Sequence, residues 1–302
     1  MLSLRFFRFF QHLTWQTIRK TIDAALQQRL PGLAAEMAYN TMLSLFPAIL
    51  AVLTAIGLFN PLKATFQVLA ERVSAVAPED VLGVIEGFAD AISGSQNGEL
   101  FSLSFVFALW IASGALSAAM AALDQIHRIP RNRVRPFWKA KLIALGLTIG
   151  GILLLLLASA IVFISDMVVR HIAQQSGTLE PRLLHLWRLL ALPFVLGIMS
   201  TLFAFIYRFG PSRWNPGQPI MPGAIIAAVF WAILSNLFRL YVQRFGNYNQ
   251  VYGAVGAVIV LLIWLHMSSL IMLIGGQLNV TVGEAIQRSK GQRIPIRNPK
   301  SF

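Results

Sequence analysis

The chain contains no cysteine in its 302 residues. This absence excludes disulfides, a thiol nucleophile and any zinc site with cysteine ligands. Charged residues are also scarce, at 12% of the chain against about 25% in ordinary soluble domains. Hydrophobic residues make up 56%. A composition so poor in charge and so rich in apolar residues indicates an integral membrane protein.

Sequence signals for catalysis are missing as well. The five histidines are scattered, and no spacing such as H-x-H or H-E-x-x-H is present to hold a catalytic metal. Neither the G-x-S-x-G turn of serine hydrolases nor the G-x-x-x-x-G-K-[ST] phosphate loop occurs. We therefore predict that the chain is not an enzyme, that it uses no cofactor and that it has no ATPase activity of its own.

Six long apolar segments follow one another along the chain, and the last of them has no formally charged residue over residues 254–275. A helix of that length extends for about 33 Å, which is enough to cross a hydrocarbon core of about 30 Å. The sequence therefore predicts an all-α polytopic membrane protein with a six-helix bundle. The predicted spans are residues 38–59, 101–123, 142–165, 187–207, 221–242 and 254–275.

Three segments outside these spans have predicted structures of their own. Residues 1–31 are basic, with apolar residues three to five positions apart, which predicts an amphipathic helix in the headgroup layer, closed by Pro31 and Gly32. A cytoplasmic helix packed on the bundle is the alternative. Residues 61–100, with six acids against two bases, are predicted to form two short helices outside the cytoplasm. Residues 286–302 are predicted to be a basic, flexible tail after the membrane domain of residues 32–285.

The distribution of positive charge predicts the orientation. The N-terminus, the loops between spans two and three and between spans four and five, and the C-terminus hold 18 of the 25 Lys and Arg residues. Both termini are therefore expected in the cytoplasm. The net charge of +13 is interpreted as loop charge that meets anionic lipid, and no nucleic-acid partner is expected.

Polar side chains inside a membrane are costly and are therefore candidates for function. At about 100° per residue, His266, Ser269 and Gln277 share one face of the sixth helix. Such residues either line a pathway or form hydrogen bonds that lock the helices together. The candidate pathway-lining residues are Glu36, Asn40, Asn236, Arg239, His266, Ser269, Gln277 and Asn279.

Two prolines and one polar link complete the prediction. Pro47 and Pro193 lie near the middle of the first and fourth spans, where a proline removes a backbone hydrogen bond and kinks or breaks the helix. Broken helices are typical of transporters, although a kink without transport is the alternative. Residues 246–253, rich in Gly, Asn and Tyr, are predicted to form a tight turn between spans five and six.

Several blocks of sequence resemble the YihY/BrkB family of bacterial inner-membrane proteins, which is also labelled ribonuclease BN-like. The resemblance covers roughly residues 15–285. Members of the family typically show Ala-Glu-Leu-Asn where this chain has Gly276-Gln277-Leu278-Asn279, so Gln277 replaces an acid that is common there. The matching blocks are G-L-A-A-E-M-A-Y-N-T-M-L-S-L-F-P (32–47), L-W-I-A-S-G-A-L (109–116), M-P-G-A-I-I-A-A-V-F-W (221–231), F-G-N-Y-N-Q-V-Y-G-A-V-G-A-V-I-V-L-L-I-W-L (245–265) and G-G-Q-L-N (275–279).

The resemblance implies a protein of the bacterial cytoplasmic membrane with a role in the cell envelope, including lipid or small-molecule export. Our leading hypothesis is a transporter or lipid exporter whose pathway runs among spans one, four, five and six. The alternative is a non-transporting envelope scaffold whose acidic segment, residues 61–100, docks a partner. A homo-oligomer is compatible with both hypotheses. The ribonuclease label has no catalytic cluster in the sequence to support it.

Overall fold

The computed structural model describes residues 9–58, 106–176, 180–214, 218–244 and 248–289 of the chain. Within these ranges every regular element is helical and no strand occurs. Two shorter helical stretches, residues 9–12 and 106–112, precede the first and third of the main helices. The main helices are α1 (Trp15–Gln27), α2 (Leu30–Leu58), α3 (Gly114–Ile126), α4 (Phe137–Ser176), α5 (Glu180–Phe209), α6 (Met221–Arg244) and α7 (Tyr248–Ser289).

Four helical stretches of the described residues are long and apolar enough to cross a membrane. They agree with the predicted second, third, fifth and sixth spans. A shorter apolar stretch, Pro193–Phe209, lies within the predicted fourth span, and α2 runs through most of the predicted first. The total of six spans therefore stays a prediction. The four long stretches are Val106–Ile126, Phe137–Leu157, Met221–Tyr241 and Val258–Ser289.

The chain divides into two compact units, one formed by Met1–Asn40 with Ala115–Phe302 and the other by Thr41–Gly114. In the second unit, the Ser44 hydroxyl donates a hydrogen bond of 3.1 Å to the Ile111 carbonyl. This bond joins α2 to the helical stretch of residues 106–112, through two residues that are 67 positions apart in sequence.

The first unit is held together by an apolar core. Within it, α6 packs against α5 and α7, α4 packs against α5, and α1 packs against α7. Small side chains on α6 allow its neighbours to approach closely, as is usual between membrane helices. The buried core residues include Leu30, Ala34, Ala119, Leu123, Phe203, Ile206, Tyr207, Ala224, Ala227, Ala228, Met272 and Leu273.

The single helix predicted for residues 1–31 is wrong in its described part, because two breaks interrupt it. Thr14 has an extended backbone, and its hydroxyl accepts a hydrogen bond from the Thr17 N–H, so it caps a new helix, α1. At the other end, Arg29 adopts a left-handed conformation with φ 55° and ends α1. Pro31 then lies in the first turn of α2, where a missing N–H costs nothing.

The link between spans five and six is shorter than predicted. Residues 245–247 lie outside the described residues, but Tyr248 already begins α7. The 42 residues of α7 extend for about 63 Å, twice the thickness of a hydrocarbon core. Residues 166–176 and 180–186, which lie between the predicted third and fourth spans, are likewise helical parts of α4 and α5.

Candidate functional site

Asn279 joins α7 to the start of α6. Its side-chain Oδ1 accepts a hydrogen bond of 2.9 Å from the Gly223 N–H, and its Nδ2 donates one of 2.9 Å to the Ile220 carbonyl. Gly223 lies in the first turn of α6, where backbone N–H groups have no partner within the helix. Asn279 is 5% exposed and acts as a helix cap supplied by another helix. Its observed contacts are those of a packing residue.

Beside this cap, α5, α6 and α7 meet at Gly275. The Tyr207 hydroxyl donates a hydrogen bond of 2.6 Å to the Met272 carbonyl of α7. A Cβ atom on Gly275 would lie only 2.6 Å from the Tyr207 hydroxyl oxygen and 2.7 Å from Ala227 Cβ. Only glycine fits at this crossing. The sequence analysis did not single out Gly275 or Tyr207, although the Gly-Gly pair before Gln277 is a signal for close helix packing.

Gln277 lies two positions closer to the C-terminus of α7 than Gly275. Its Nε2 donates a hydrogen bond of 3.2 Å to Thr281 Oγ1, and the Thr281 hydroxyl donates to the Gln277 carbonyl at 2.9 Å. Gln277 is 3% exposed, yet its Oε1 has no hydrogen-bond partner among the residues that the structure describes. A buried amide oxygen in this state is costly unless a donor reaches it.

Gln277 lines a polar cavity of about 560 Å³ between α1 and the C-terminal part of α7. One face of α1 forms a wall of the cavity, and residues 280–288 of α7 form the opposite wall. The turn after α3 contributes one more side chain. The charged residues that line the cavity are Lys20, Asp23, Arg128, Glu284 and Arg288.

These five charged side chains form no ion pair or hydrogen bond with one another or with the rest of the described chain. They come from segments that are distant in sequence, and each one alone has the pattern of an ordinary solvated charge. The sequence analysis therefore did not identify the cavity. The polar stripe on α1, with residues 16, 20, 23 and 27 on one helical face, is the signal that could have suggested it.

Arg128 has an unusual backbone for a residue with a side chain. It has φ 50°, in the left-handed region that favours glycine. Its N–H donates to the Gln125 carbonyl at 2.9 Å, and the Ile129 N–H donates to the Asp124 carbonyl at 3.0 Å. These two bonds end α3 in the Schellman arrangement, with arginine at the position that glycine usually occupies.

The other predicted pathway residues lie away from this cavity. Glu36 is exposed, and its carbonyl accepts a hydrogen bond of 2.8 Å from Asn40 Nδ2. Asn236 is exposed and donates to the Ala232 carbonyl one turn earlier, while Arg239 donates to Asn236 Oδ1 at 3.4 Å. In the described residues these bonds stay within single helices, so they do not bring the predicted pathway together.

The residues predicted to share one polar face of α7 lie in different surroundings. Ser269 is buried and His266 is half-buried, and neither lines the cavity that contains Gln277. His266 and Gln277 are eleven positions apart, which corresponds to about 16 Å along a helix. A pathway that contains all of the predicted residues stays a prediction.

The two prolines do not break their helices. Pro47 lies inside α2 and Pro193 lies inside α5, and the helical backbone continues past each of them. The break predicted as one outcome at each proline does not occur, and the kink predicted as the other outcome stays a prediction. The surrounding turns retain enough backbone hydrogen bonds to hold the helix through the proline, as is common in membrane helices.

Arg135 ties the loop after α3 to the end of α5. Its guanidinium donates to three consecutive carbonyls, at 2.9 Å to Phe209, 3.0 Å to Gly210 and 2.6 Å to Pro211. The last carbonyls of a helix have no partner within it, so Arg135 caps α5 from outside.

Asp124 reinforces the same junction. Its carboxylate accepts hydrogen bonds from the Ser212 hydroxyl, at 2.6 Å, and from the Ser212 N–H, at 2.5 Å. Burial lowers the pKa of Arg135, and the nearby Asp124 carboxylate partly offsets this effect. The guanidinium nevertheless stays charged, because its ordinary pKa is far above neutral pH.

Within the described ranges, no group of three or more His, Asp or Glu side chains is placed to hold a metal ion. The histidines there have other surroundings. His127 Nδ1 lies 2.9 Å from the Leu123 carbonyl, and His12 Nε2 lies 3.2 Å from Ser289 Oγ at the edge of the cavity.

Long apolar helices, glycine-mediated crossings and a polar cavity at one end define a polytopic helical membrane protein. The family model described as "Virulence factor BrkB" matches residues 21–297, and the chain belongs to this family. The resemblance seen in the sequence is thereby confirmed.

Curated relatives carry membrane-protein and ribonuclease-like names. The chain is 29% identical over 266 residues to the ribonuclease-like protein YfkH of Bacillus subtilis (strain 168), a match covering 88% of this chain and 92% of that protein. It is 25% identical over 288 residues to the UPF0761 membrane protein VSAL_I2938 of Aliivibrio salmonicida (strain LFI1238), covering 93% and 87%. A UPF0761 membrane protein of Tolumonas auensis is 26% identical over 287 residues, covering 93% and 86%. No solved structure matches the chain.

Proposed function

We propose that the chain is a transporter or lipid exporter of the bacterial cytoplasmic membrane, without an ATPase of its own. The observation that carries the proposal is the cavity at Gln277. This residue was predicted from the sequence to line a pathway, and it lies on a polar cavity with a buried oxygen that has no partner among the described residues. A cavity that joins solvated charges to a polar group on a membrane helix is suited to receiving a polar cargo.

The proposal includes six spans with both termini in the cytoplasm. The cavity is lined by the N-terminal helix, by the turn after α3 and by the end of α7. Arg135 and Asp124 link the loop after α3 to the loop after α5. Residues from all four segments that hold most of the Lys and Arg residues thus lie at one end of this unit. The positive-inside rule requires cytoplasmic segments to share one side in this way. Anionic lipid is the expected partner of this basic end.

Reconstitution tests transport directly. The full chain in liposomes is assayed for translocation of fluorescent phospholipids and for uptake of radiolabelled solutes, with and without proton and sodium gradients. We expect faster movement of at least one cargo than in protein-free liposomes. Gln277→Met should slow this movement at least tenfold, because it removes the cavity's buried amide, while Arg19→Gln, on α1 but outside the cavity, should not. No movement of any lipid or solute under any gradient would contradict the proposal.

A non-transporting envelope scaffold is the second candidate. The observation that favours it is the crossing of α5, α6 and α7, where Asn279, Tyr207 and Gly275 leave no space between the helices. Deletion of residues 62–95 separates the two functions. A scaffold should lose a co-purifying envelope partner, whereas an exporter should keep its flux in liposomes.

We also propose that the chain has no ribonuclease activity, despite the name of its Bacillus relative. The scattered histidines and the missing catalytic motifs support this proposal. Metal-dependent RNA cleavage by the purified chain, abolished by substitution of one histidine, would overturn it.

A further inference from the structure

We infer that the polar cavity binds a phosphate ester that also carries hydroxyl groups, the chemistry of the phosphatidylglycerol headgroup. The inference rests on the proposed function, because it names the class of cargo or regulatory lipid received at the same cavity. It depends on two features of the lining: an excess of cations, and a buried amide oxygen without a donor beside two carboxylates.

The cations are suited to a phosphate. Lys20 on α1, Arg128 after α3 and Arg288 on α7 line the cavity from three different segments. Arginine binds phosphate oxygens through two parallel N–H groups, and lysine binds them as a point charge. None of the three is neutralised by an ion pair within the described part of the chain.

The acceptors are suited to hydroxyl groups. Gln277 Oε1 is buried and unpartnered in the described residues, and Asp23 and Glu284 line the cavity with carboxylates. The buried Gln277 oxygen needs a donor that a phosphodiester group does not supply, and the two carboxylates can accept further hydrogen bonds from hydroxyl groups. Three cations against two carboxylates leave the lining with one excess positive charge. A phosphodiester with hydroxyls supplies one negative charge and the missing donors, whereas a phosphoethanolamine zwitterion leaves the excess charge uncompensated.

The placement of α1 brings the cavity to the level of lipid headgroups. The face of α1 that lines the cavity comprises residues 16, 17, 20, 23, 24 and 27. At about 100° per residue, the exposed apolar side chains Trp15, Ile22 and Leu26 are centred about 135° away from that face. A helix with an exposed apolar face is suited to lie in the headgroup layer, so the cavity would open beside lipid.

Arg128 gives independent support. Its left-handed backbone would be adopted at lower cost by glycine, yet the residue there is an arginine that lines the cavity. Residues kept in unfavourable conformations are concentrated at functional sites. Arg29 has the same conformation but does not line the cavity, and it provides a matched comparison.

Lipid titrations of the purified full chain in detergent, followed by native mass spectrometry, test the inference. The probes are phosphatidylglycerol, phosphatidylmethanol, which is a phosphodiester without hydroxyls, and phosphatidylethanolamine. We expect phosphatidylglycerol to bind at least tenfold more tightly than the other two. Lys20→Gln and Arg128→Gln should each weaken it about tenfold, as expected for loss of one charge-assisted contact. The control Arg19→Gln, on the same helix but not in the cavity, should change it less than twofold.

Gln277→Met tests the hydroxyl contact separately. It should reduce the preference for phosphatidylglycerol over phosphatidylmethanol while leaving phosphatidylmethanol binding unchanged. Competition with soluble glycerol 3-phosphate distinguishes the two sources of this chemistry. Displacement of the lipid at micromolar concentration identifies a soluble cargo, and no displacement identifies the lipid itself.

Equal binding of the three lipids, or binding that is insensitive to Lys20→Gln and Arg128→Gln, overturns the inference. The flux assay keeps this outcome separate from the proposed function. Flux that persists without selective headgroup binding leaves the transporter in place and removes the inference. Selective binding with no flux of any cargo leaves the site in place and removes the transporter.

Discussion

At the scale of single residues, Arg128 combines an unfavourable backbone with a place in the cavity. Glycine is the usual residue at the left-handed position that ends a helix, because it has no Cβ to clash with the backbone. We therefore expect Arg128→Gly to raise the free energy of unfolding by up to about 1 kcal/mol while it weakens phosphatidylglycerol binding. Thermal unfolding and lipid titration of the same sample measure the two effects.

The matched variant is Arg29→Gly, which ends α1 in the same conformation. It should bring a similar gain in stability without a loss of binding. If both variants lost binding equally, the effect of Arg128→Gly would have to be assigned to the shape of the backbone and not to the guanidinium.

Asn279 is a second residue whose role its contacts define. Asn279→Ala leaves the Gly223 N–H and the Ile220 carbonyl without their partners, and it should destabilise the chain by about 1–3 kcal/mol. Asn236→Ala removes an exposed amide whose hydrogen bonds in the described residues stay within its own helix, and it should change stability by less than about 0.5 kcal/mol. Denaturation in detergent measures both variants, and equal losses would refute a special role for Asn279.

At the scale of the helices, the crossing of α5, α6 and α7 depends on Gly275. The added methyl group of Gly275→Ala would overlap with Tyr207, Ala227 and the backbone of Gly223. Overpacking of this kind costs about 1–3 kcal/mol. Because the methyl group forces the helices apart, the variant should also lose the hydrogen bond from Tyr207 to Met272.

Gly146→Ala is the control for this substitution, because nothing lies within 4 Å of the added Cβ. Alanine also favours the helix at an exposed position, so stability should stay equal or rise by up to about 1 kcal/mol. Thermal unfolding of the two variants side by side gives the comparison. A loss at Gly146 as large as that at Gly275 would show that helix glycines matter here for a reason other than packing.

The junction of the loop after α3 with the end of α5 makes a separate prediction. Arg135→Gln removes the fork that satisfies three carbonyls, and it should destabilise the chain by about 1–3 kcal/mol. Arg133→Gln changes an exposed arginine two positions away and should have little effect. Limited proteolysis in the loop, together with thermal unfolding, should distinguish a local opening from global loss of stability.

At the scale of the whole molecule, the hydropathy of the sequence predicts which segments face lipid. It does not predict which segments pack against other parts of the protein. The charge-free run of residues 254–275 lies within a long apolar helix, as predicted. The extension of α7 to Ser289 was not predicted, because the C-terminal part of this helix packs against α1 and lines the polar cavity. The cavity itself joins Lys20, Arg128 and Arg288, whose proximity only the tertiary fold creates.

The absence of cysteine makes the predicted topology directly measurable, because each single substitution introduces the only thiol of the chain. A membrane-impermeant maleimide is applied to intact spheroplasts and then to lysed ones. Six spans with cytoplasmic termini require the connecting segments to alternate between the outside and the inside along the chain. The reporter variants are Ser95→Cys, Arg133→Cys, Gly177→Cys, Asn215→Cys and Asn247→Cys.

We expect the first, third and fifth reporters to react in intact spheroplasts, and the second and fourth to react only after lysis. Arg133→Cys carries the most weight, because its loop is joined through Arg135 and Asp124 to the segment after α5. These two loops must therefore report the same side of the membrane. Labelling at position 133 but not at 215 in intact spheroplasts would contradict the number of spans between them. Labelling at both positions would reverse the orientation and place the cavity outside the cytoplasm.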